Sequence, residues 1–543
     1  MRALVRALVL LALFDLAACS GNGTPAPSSI RVGTALAADQ SLARTLDTMP
    51  RTLDPALVTD ADGSRVIIDL FEGLTANAPD GSIVPGIASS WEVSPDGRAW
   101  TFHLRAGARW SNGDPLTASD FIYAWRHQVD PKTGSENAQE LTPIVNAAEI
   151  LAGRAAPETL GVDAPDPNTI HITLTDPTPY LLDLLADAFM MPLPRASVER
   201  YGDDWTRPEH IVSSGPFMLK ELVIGNRIAL VKNPNYWAAD TVRLERVTYY
   251  PLNRATQPSR FMAGDVQYTS FFSPEQYRWL KSQLGDQVQV GPYFGIQMLA
   301  FNMLDPPFAG NRNLRLALTM AVDRQMLSEQ VRQGVFPPAY AMTPVMPGFQ
   351  EPLPEWASWS DERRHAEARR LYAAAGYSAS HPLKVEVVYG TEPTTRDLMD
   401  ALAAMWRVNL GAQVEPYNEE FRVMLQDLAL HKAKLFWNGW TAEYPDPYTF
   451  EQLFKTGYAQ NFGAYSDPNF DALLAAASVE PDNAKRYRLL EQSETLLNAE
   501  AAYIPLIYYS TLHLIKPYVK GVPRNPMDID GSRYMYILEH DGH

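Results

Sequence analysis

Apolar and polar positions alternate with a period of two in "WTFHL" (100–104), "TIHITL" (169–174), "NRIALV" (226–231), "RVTYY" (246–250), "LKVEVVY" (383–389) and "YIPLIYY" (503–509). Each of these stretches predicts a β-strand. Segments of helical periodicity lie between them and carry start and stop signals. Thr117, with Asp120 three residues on, predicts a capped helix through "FIYAWRHQV". Asp467-Pro468 places a cap and a first-turn proline ahead of "NFDALLAAA". Ser360 opens "DERRHAEARRLYAAA", acidic in its first turn, and Gly376 closes it. Asn311 predicts the cap of one helix running through "RNLRLALTMAVDRQMLSEQV". Strands and helices alternate without a sustained βαβ rhythm, so the expected class is α+β (mixed α/β), with crossovers between sheets.

The first residues break from this patterning. "MRALVRALVLLALFDLAAC" has Arg2 and Arg6, an apolar run from Ala7 to Phe14, and small residues before Cys19. It predicts a secretory leader over 1–18, too short to serve as a stable membrane anchor. Cys19 is the only cysteine in the chain, which excludes an intramolecular disulfide. Leu16-Ala17-Ala18-Cys19 resembles the lipobox of bacterial lipoproteins, which implies cleavage before Cys19, lipidation of its thiol and a membrane-anchored protein of the periplasm. Residues 19–29, through "SGNGTPAPSS", read as the lipidated linker.

The 543 residues are too many for one compact core and predict two or three domains. The formal net charge of −17, without a basic stripe, argues against nucleic-acid binding. Catalytic patterns are missing: there is no G-x-S-x-G, H-E-x-x-H, P-loop or G-x-G-x-x-G. The ten histidines show no ligand spacing, and "DADGS" (60–64) lacks the later acids of a calcium loop. The expectation is therefore a binding protein, not an enzyme, that needs no cofactor or metal.

One stretch is diagnostic. "SSWEVSPDGRAWTFHLRAGARWSNGDPLTASDFIYAWR" (89–126) turns a hairpin at Asp96-Gly97, sets Trp91, Trp100, Phe102 and Leu104 on packing faces, and delivers Thr117 as a helix cap through a second turn at Asn112-Gly113. In that order these residues closely resemble the signature of the periplasmic oligopeptide-binding proteins of bacterial ABC importers (solute-binding protein family 5). The likeness continues in "LDPALVTDADGSRVIIDLFEGL" (53–74), "SGPFMLK" (214–220), "NPNYW" (233–237) and "FNMLDPPFAGNRNLRLALTMAVDR" (301–324). It implies a two-lobed clamp of the type II, cluster C kind, with an extra domain in the first lobe. Domain I would take 30–71, 197–295 and 511–543, domain II 72–196 and domain III 296–510, with hinge crossings near Gly295 and Ser510. A monomer closing on an oligopeptide and presenting it to an ABC permease is the implied mechanism, with the lipid as the only membrane contact.

The resemblance also implies a ligand site. The peptide would lie extended between the lobes and pair its main chain with Gly439 and Thr441 on one side and with Asp60 and Ala61 on the other. Glu443, two residues beyond the first edge, matches the acid that meets the peptide's α-ammonium, and Trp440 would wall the first side-chain pocket. Asn137 stands where relatives place a ligand-facing tyrosine. Trp437, Leu428 and Thr395 replace two arginines and a histidine of well-studied members, so the ligand's carboxyl end must be met differently. This leaves open a murein peptide, an oligosaccharide stacked on Trp437 and Trp440, a metal or haem complex, or a signalling lipoprotein of the same fold. Arg315 and Arg324 are expected to brace the fold through salt bridges.

Overall fold

The computed structural model describes residues 30–391 and 393–541; Cys19, the leader before it and the linker lie outside the described residues. Every alternating stretch forms a strand, and each turns its apolar positions to a core. Ser41–Leu46 runs parallel to Arg246–Pro251, and that sheet continues antiparallel through Arg227–Lys232 to Phe217–Val223. Ala88–Val93, Ala99–Leu104, Thr169–Thr173 and Val162–Asp166 form a second, antiparallel sheet. Both sheets share one buried core, filled by side chains such as Phe71, Phe102, Trp125 and Trp205, and make up the first lobe.

The second lobe is built on a five-stranded sheet ordered Gln413–Glu419, Lys384–Gly390, Leu435–Thr441, Val288–Phe301, Tyr503–Leu514. Its last two strands are long because they belong to both lobes. Val288–Pro292 pair with Ser510–Leu514, and Ile296–Ala300 pair with Tyr503–Tyr508. Between these blocks the register slips: Tyr293, Phe294 and Gly295 stand opposite Tyr509 alone. Such a bulge bends a ribbon and raises its twist. The expected boundary at 295 does not divide the packing, however. Phe261, Phe272 and Leu280, assigned by sequence to domain I, share a buried cluster with Leu299, Leu314 and Ile504.

The helix signals act as expected in most places. Thr117 and Asp120 form a reciprocal capping box, Asp467 accepts from the amides of Asn469 and Phe470, and Gly376 takes φ +92°. The helix after Asn311 is shorter than its periodicity suggests. It spans Arg312–Met320 and stops, because Asp323 caps a new start by accepting from the Met326 amide at 2.9 Å. Arg324 then fills the junction by donating to the carbonyls of Thr319, Val322 and Pro505. The salt-bridge expectation holds for Arg315 and needs correction for Arg324. Arg324 braces through carbonyls and the faces of Tyr340 and Trp356, and Arg315 adds the Phe308 and Glu500 carbonyls to an ion pair with Glu500 at 3.3 Å.

A pair of carboxyls is sealed inside the second lobe. Glu494 accepts from the amides of Met342 (2.5 Å) and Thr343 (3.2 Å) through one oxygen, and Glu451 accepts from the Ser493 hydroxyl through one of its own. The other oxygen of each is buried without a partner. Burial holds both groups well above the usual carboxylate range, and the Glu494 charge pushes Glu451 further in that direction. A proton is therefore bound in the folded lobe that the unfolded chain releases near pH 4.3. That stabilisation is complete below the unfolded value and is lost as pH rises through the raised native one. We expect the melting temperature to fall between pH 5 and pH 8 and the slope to flatten in Glu451→Gln, which keeps a proton permanently. Calorimetric melts of both proteins across that range check this, and equal slopes would contradict it.

Candidate functional site

Between the lobes lies a cavity of about 350 Å³. One wall is the helix Ala61–Leu70, whose Ala61, Ser64, Arg65 and Ile68 face the opening at i, i+3, i+4 and i+7 spacing. Its opposite stripe, with Val66, Ile67 and Leu70, is buried in the first lobe. Arg65 is held against Asp528 and Asp530, and Arg44 also pairs with Asp530. These contacts keep both aspartates below the ordinary range despite burial, which pushes the other way. His513 completes the cluster: its Nδ1 meets the Thr269 carbonyl at 2.9 Å and its Nε2 the Asp528 carboxylate at 2.8 Å. Burial works against its charge, but Asp528 prevails and its pKa is raised. A network of this kind fixes the helix to the C-terminal segment.

The facing wall grows from the strand Leu435–Thr441. Along one side it pairs with Val288–Phe301 over its whole length, from Leu435 opposite Phe301 to Thr441 opposite Gly295. On the other side Lys384–Gly390 reaches only Leu435 and Phe436. The Asn302 amide meets the Lys434 carbonyl and the Ala442 amide meets the Phe294 carbonyl, both at 2.8 Å. Even-numbered residues therefore direct their peptide groups to the paired side. By strand alternation, Trp437, Gly439 and Thr441 direct theirs to the open edge. Gly439 has no room for a side chain: a Cβ there would lie 2.8 Å from the Tyr509 hydroxyl and 3.0 Å from the Trp437 ring.

Glu443 lies just past this edge and lines the cavity. It makes no hydrogen bond or ion pair among the described residues. Its oxygens are open to the cleft, yet both lobes crowd around it and replace much of its hydration. That crowding, then the charges of Glu140 and Asp187, pushes its carboxyl up to about 7. Asp183 and Asp187, also facing the cavity, are pushed up to about 6, in both cases mainly by burial. Burial alone raises Glu140. Across the cleft, Tyr180 stacks on Tyr444 with ring centres 4.2 Å apart and planes within 5°. Tyr293 lines the cavity and closes its floor between edge and hinge.

The other expected residues separate into those near the cavity and those packed away from it. Asp60 keeps an extended backbone, but its carboxylate caps the helix by accepting from the Gly63 amide at 2.7 Å, and Ala61 is the first helical residue. The expected pairing edge at 60–61 is thus a helix start. Asn137 gives its amide to the Val58 carbonyl at 2.5 Å, which ties down the approach to that helix instead of facing the cavity. Trp437 packs on the sheet core and over Gly439, with its indole N–H buried and unpaired, so its face is not free for a sugar. Trp440 packs beside Ile296 and Tyr448 and donates to the Thr449 hydroxyl at 3.3 Å. Leu428 and Thr395 are both buried. Sequence reasoning missed Glu140, Asp183, Asp187 and Tyr293. Asp187 carried a usable signal, since it caps the short turn Ala188–Met190.

Residues 82–462 match the family described as "Bacterial extracellular solute-binding proteins, family 5 Middle". The periplasmic oligopeptide-binding protein OppA of Escherichia coli is 35% identical over 99% of both chains. At 36% identity, over 90% of this chain and 92% of the relative, the probable deoxycholate-binding periplasmic protein YgiS of the same organism is as similar. Among solved structures, the unliganded open form of the E. coli periplasmic murein tripeptide-binding protein MppA superposes with a TM-score of 0.84 at 36% identity, covering 94% of this chain and all of that one. Two lobes joined by a bulged ribbon, an open strand edge between them and this match over most of the sequence lead to one assignment: the chain belongs to the family 5 bacterial extracellular solute-binding proteins.

Proposed function

We propose that this protein captures peptides in the cleft between its lobes and delivers them to the permease of an ABC importer. It binds its cargo and does not transform it. The observation that carries this reading is the unpaired edge at Gly439 and Thr441, followed at once by an unpartnered carboxylate at Glu443. An extended peptide adds to such an edge through its main chain, which gives affinity with little dependence on sequence. Its α-ammonium then lies within reach of Glu443 and gains charge-assisted hydrogen bonds. An anionic amphiphile of the deoxycholate kind would meet Glu443, Asp183 and Asp187 instead, a repulsive encounter. The leader and Cys19 support placement in the periplasm as a lipid-anchored protein, which we take to act as a monomer.

Two outcomes test this reading. Mass spectrometry of ligand released from protein purified without residues 1–19 should identify peptides with free amino termini. A sugar, a bile acid or a haem compound would overturn the proposal. Glu443→Gln should weaken free-amino peptides about tenfold to a hundredfold, in line with roughly 1.5–3 kcal/mol for a hydrogen bond to a charged group. N-acetylated peptides, already weak, should bind the two proteins alike, and equal losses for both peptide classes would remove Glu443 from this role.

Glu443 also sets a pH dependence. Its raised pKa leaves the carboxyl about half protonated near pH 7 in the free protein, and an ammonium ligand favours the ionised form. Binding between pH 6 and pH 7 therefore releases a proton, and affinity should rise about fivefold over that range and then level off, because the peptide's own α-ammonium loses its proton at about pH 7.7–8.0. Titration calorimetry in buffers of different ionisation enthalpy reads the released proton directly. A pH-independent affinity would show that Glu443 does not meet the ammonium.

A further inference from the structure

The charges around the cleft do not balance, and this bears on which peptides it takes. The cleft is a site on other grounds, namely the unpaired strand edge and the cavity beside it; the charges decide selectivity within it. Three carboxylates line one end of the cavity, Glu443 from the second lobe and Asp183 and Asp187 from the first, and Glu140 of the first lobe stands near enough for its charge to act on Glu443 and Asp187. Neither Glu443 nor Glu140 has a hydrogen-bond or ion-pair partner among the described residues. Asp187 accepts one long bond, from the Phe189 amide at 3.4 Å. The cation that lines the cavity, Arg65, is taken by Asp528 and Asp530, while Arg486 is taken by Asp446. One α-ammonium supplies one positive charge to this group. Closing the lobes over the remaining carboxylates would strand them in a drier environment, at a substantial cost.

We propose that the cleft selects peptides with a second positive charge beside the amino terminus, a lysine, arginine or ornithine at the first position. Glu443 holds the α-ammonium, and Glu140 with Asp187 receives the side-chain cation. This rests on the peptide reading above and adds a specificity to it. The preference comes from the first lobe, whose acids come to bear on Glu443 across the cleft. It is therefore separable from main-chain pairing, which belongs to the second lobe. The same opposition of charges makes the selectivity sensitive to salt.

Calorimetric titration of the protein with Lys-Ala-Ala, Ala-Lys-Ala and Ala-Ala-Ala at low ionic strength tests the proposal. Lys-Ala-Ala should bind at least about tenfold more tightly than Ala-Ala-Ala, the size of one charge-assisted contact. Glu140→Gln should bring that ratio close to one. The Glu140 side chain makes no hydrogen bond to lose, so the variant is expected to fold, and a melting temperature equal to the parent's verifies that it has. Equal affinity for Lys-Ala-Ala and Ala-Ala-Ala would overturn the proposal, as would a preference untouched by Glu140→Gln or a stronger preference for Ala-Lys-Ala. Spermidine binding as tightly as Lys-Ala-Ala would also overturn it, because a polyamine has no main chain to pair. If none of the three peptides bound, the peptide reading itself would fail, which is a distinct result.

Discussion

The site depends on a single constraint: two long strands must stay paired in each lobe and part from regular pairing between them. A continuous ribbon would make the lobes one rigid slab, and a broken one would let them wander. Here Tyr293, Phe294 and Gly295 are set against Tyr509 alone, so the ribbon bends without ending. Phe294 is held at that bend from two directions. Its amide donates to the Pro526 carbonyl of the first lobe at 2.7 Å, and its carbonyl accepts from Ala442, the residue before Glu443. Glu443 is thereby referenced to the bend and to the C-terminal segment at once.

Electrostatics divides the same region into paired and unpaired charge. Arg44, Arg65, His513, Asp528 and Asp530 pair with one another in a buried cluster that ties helix 61–70 to the hinge strand. Both neighbours of the His513 ring are acceptors, so the geometry demands the doubly protonated imidazolium. A few residues away the opposite arrangement holds. Burial, with the charges of Glu140 and Asp187 added at Glu443, keeps these acids protonated more than they would be in water, which a stable scaffold would avoid and a cation-binding cleft can use.

Much of this was legible in the chain. Period-two alternation located the strands, because each has one face in a core, and the ordered motif at 89–126 fixed the family. Caps were legible where a polar side chain meets the helix it starts, as at Thr117, Ser360 and Asp467. The helix after Asn311 was read as too long because periodicity reports a buried stripe and not the break where Asp323 competes for the backbone. Asp60 was named from the family pattern, and its role as cap of helix 61–70 becomes legible once the apolar stripe of Val66, Ile67 and Leu70 is weighed with it. The acids of the first lobe left little local trace. Glu140 and Glu443 are separated by hundreds of residues, and only the closing of the chain shows that one carboxylate bears on the other.

Tyr509 carries a consequence of a different kind. Its ring occupies the space that a Cβ on Gly295 would need, 2.6 Å from its Cδ2, and its hydroxyl occupies the corresponding space at Gly439. One aromatic plate is thus wedged between the bend of the ribbon and the strand with the open edge. A side chain at either glycine would collide with this plate, so the contact that joins the bend to the open edge exists because both positions lack one.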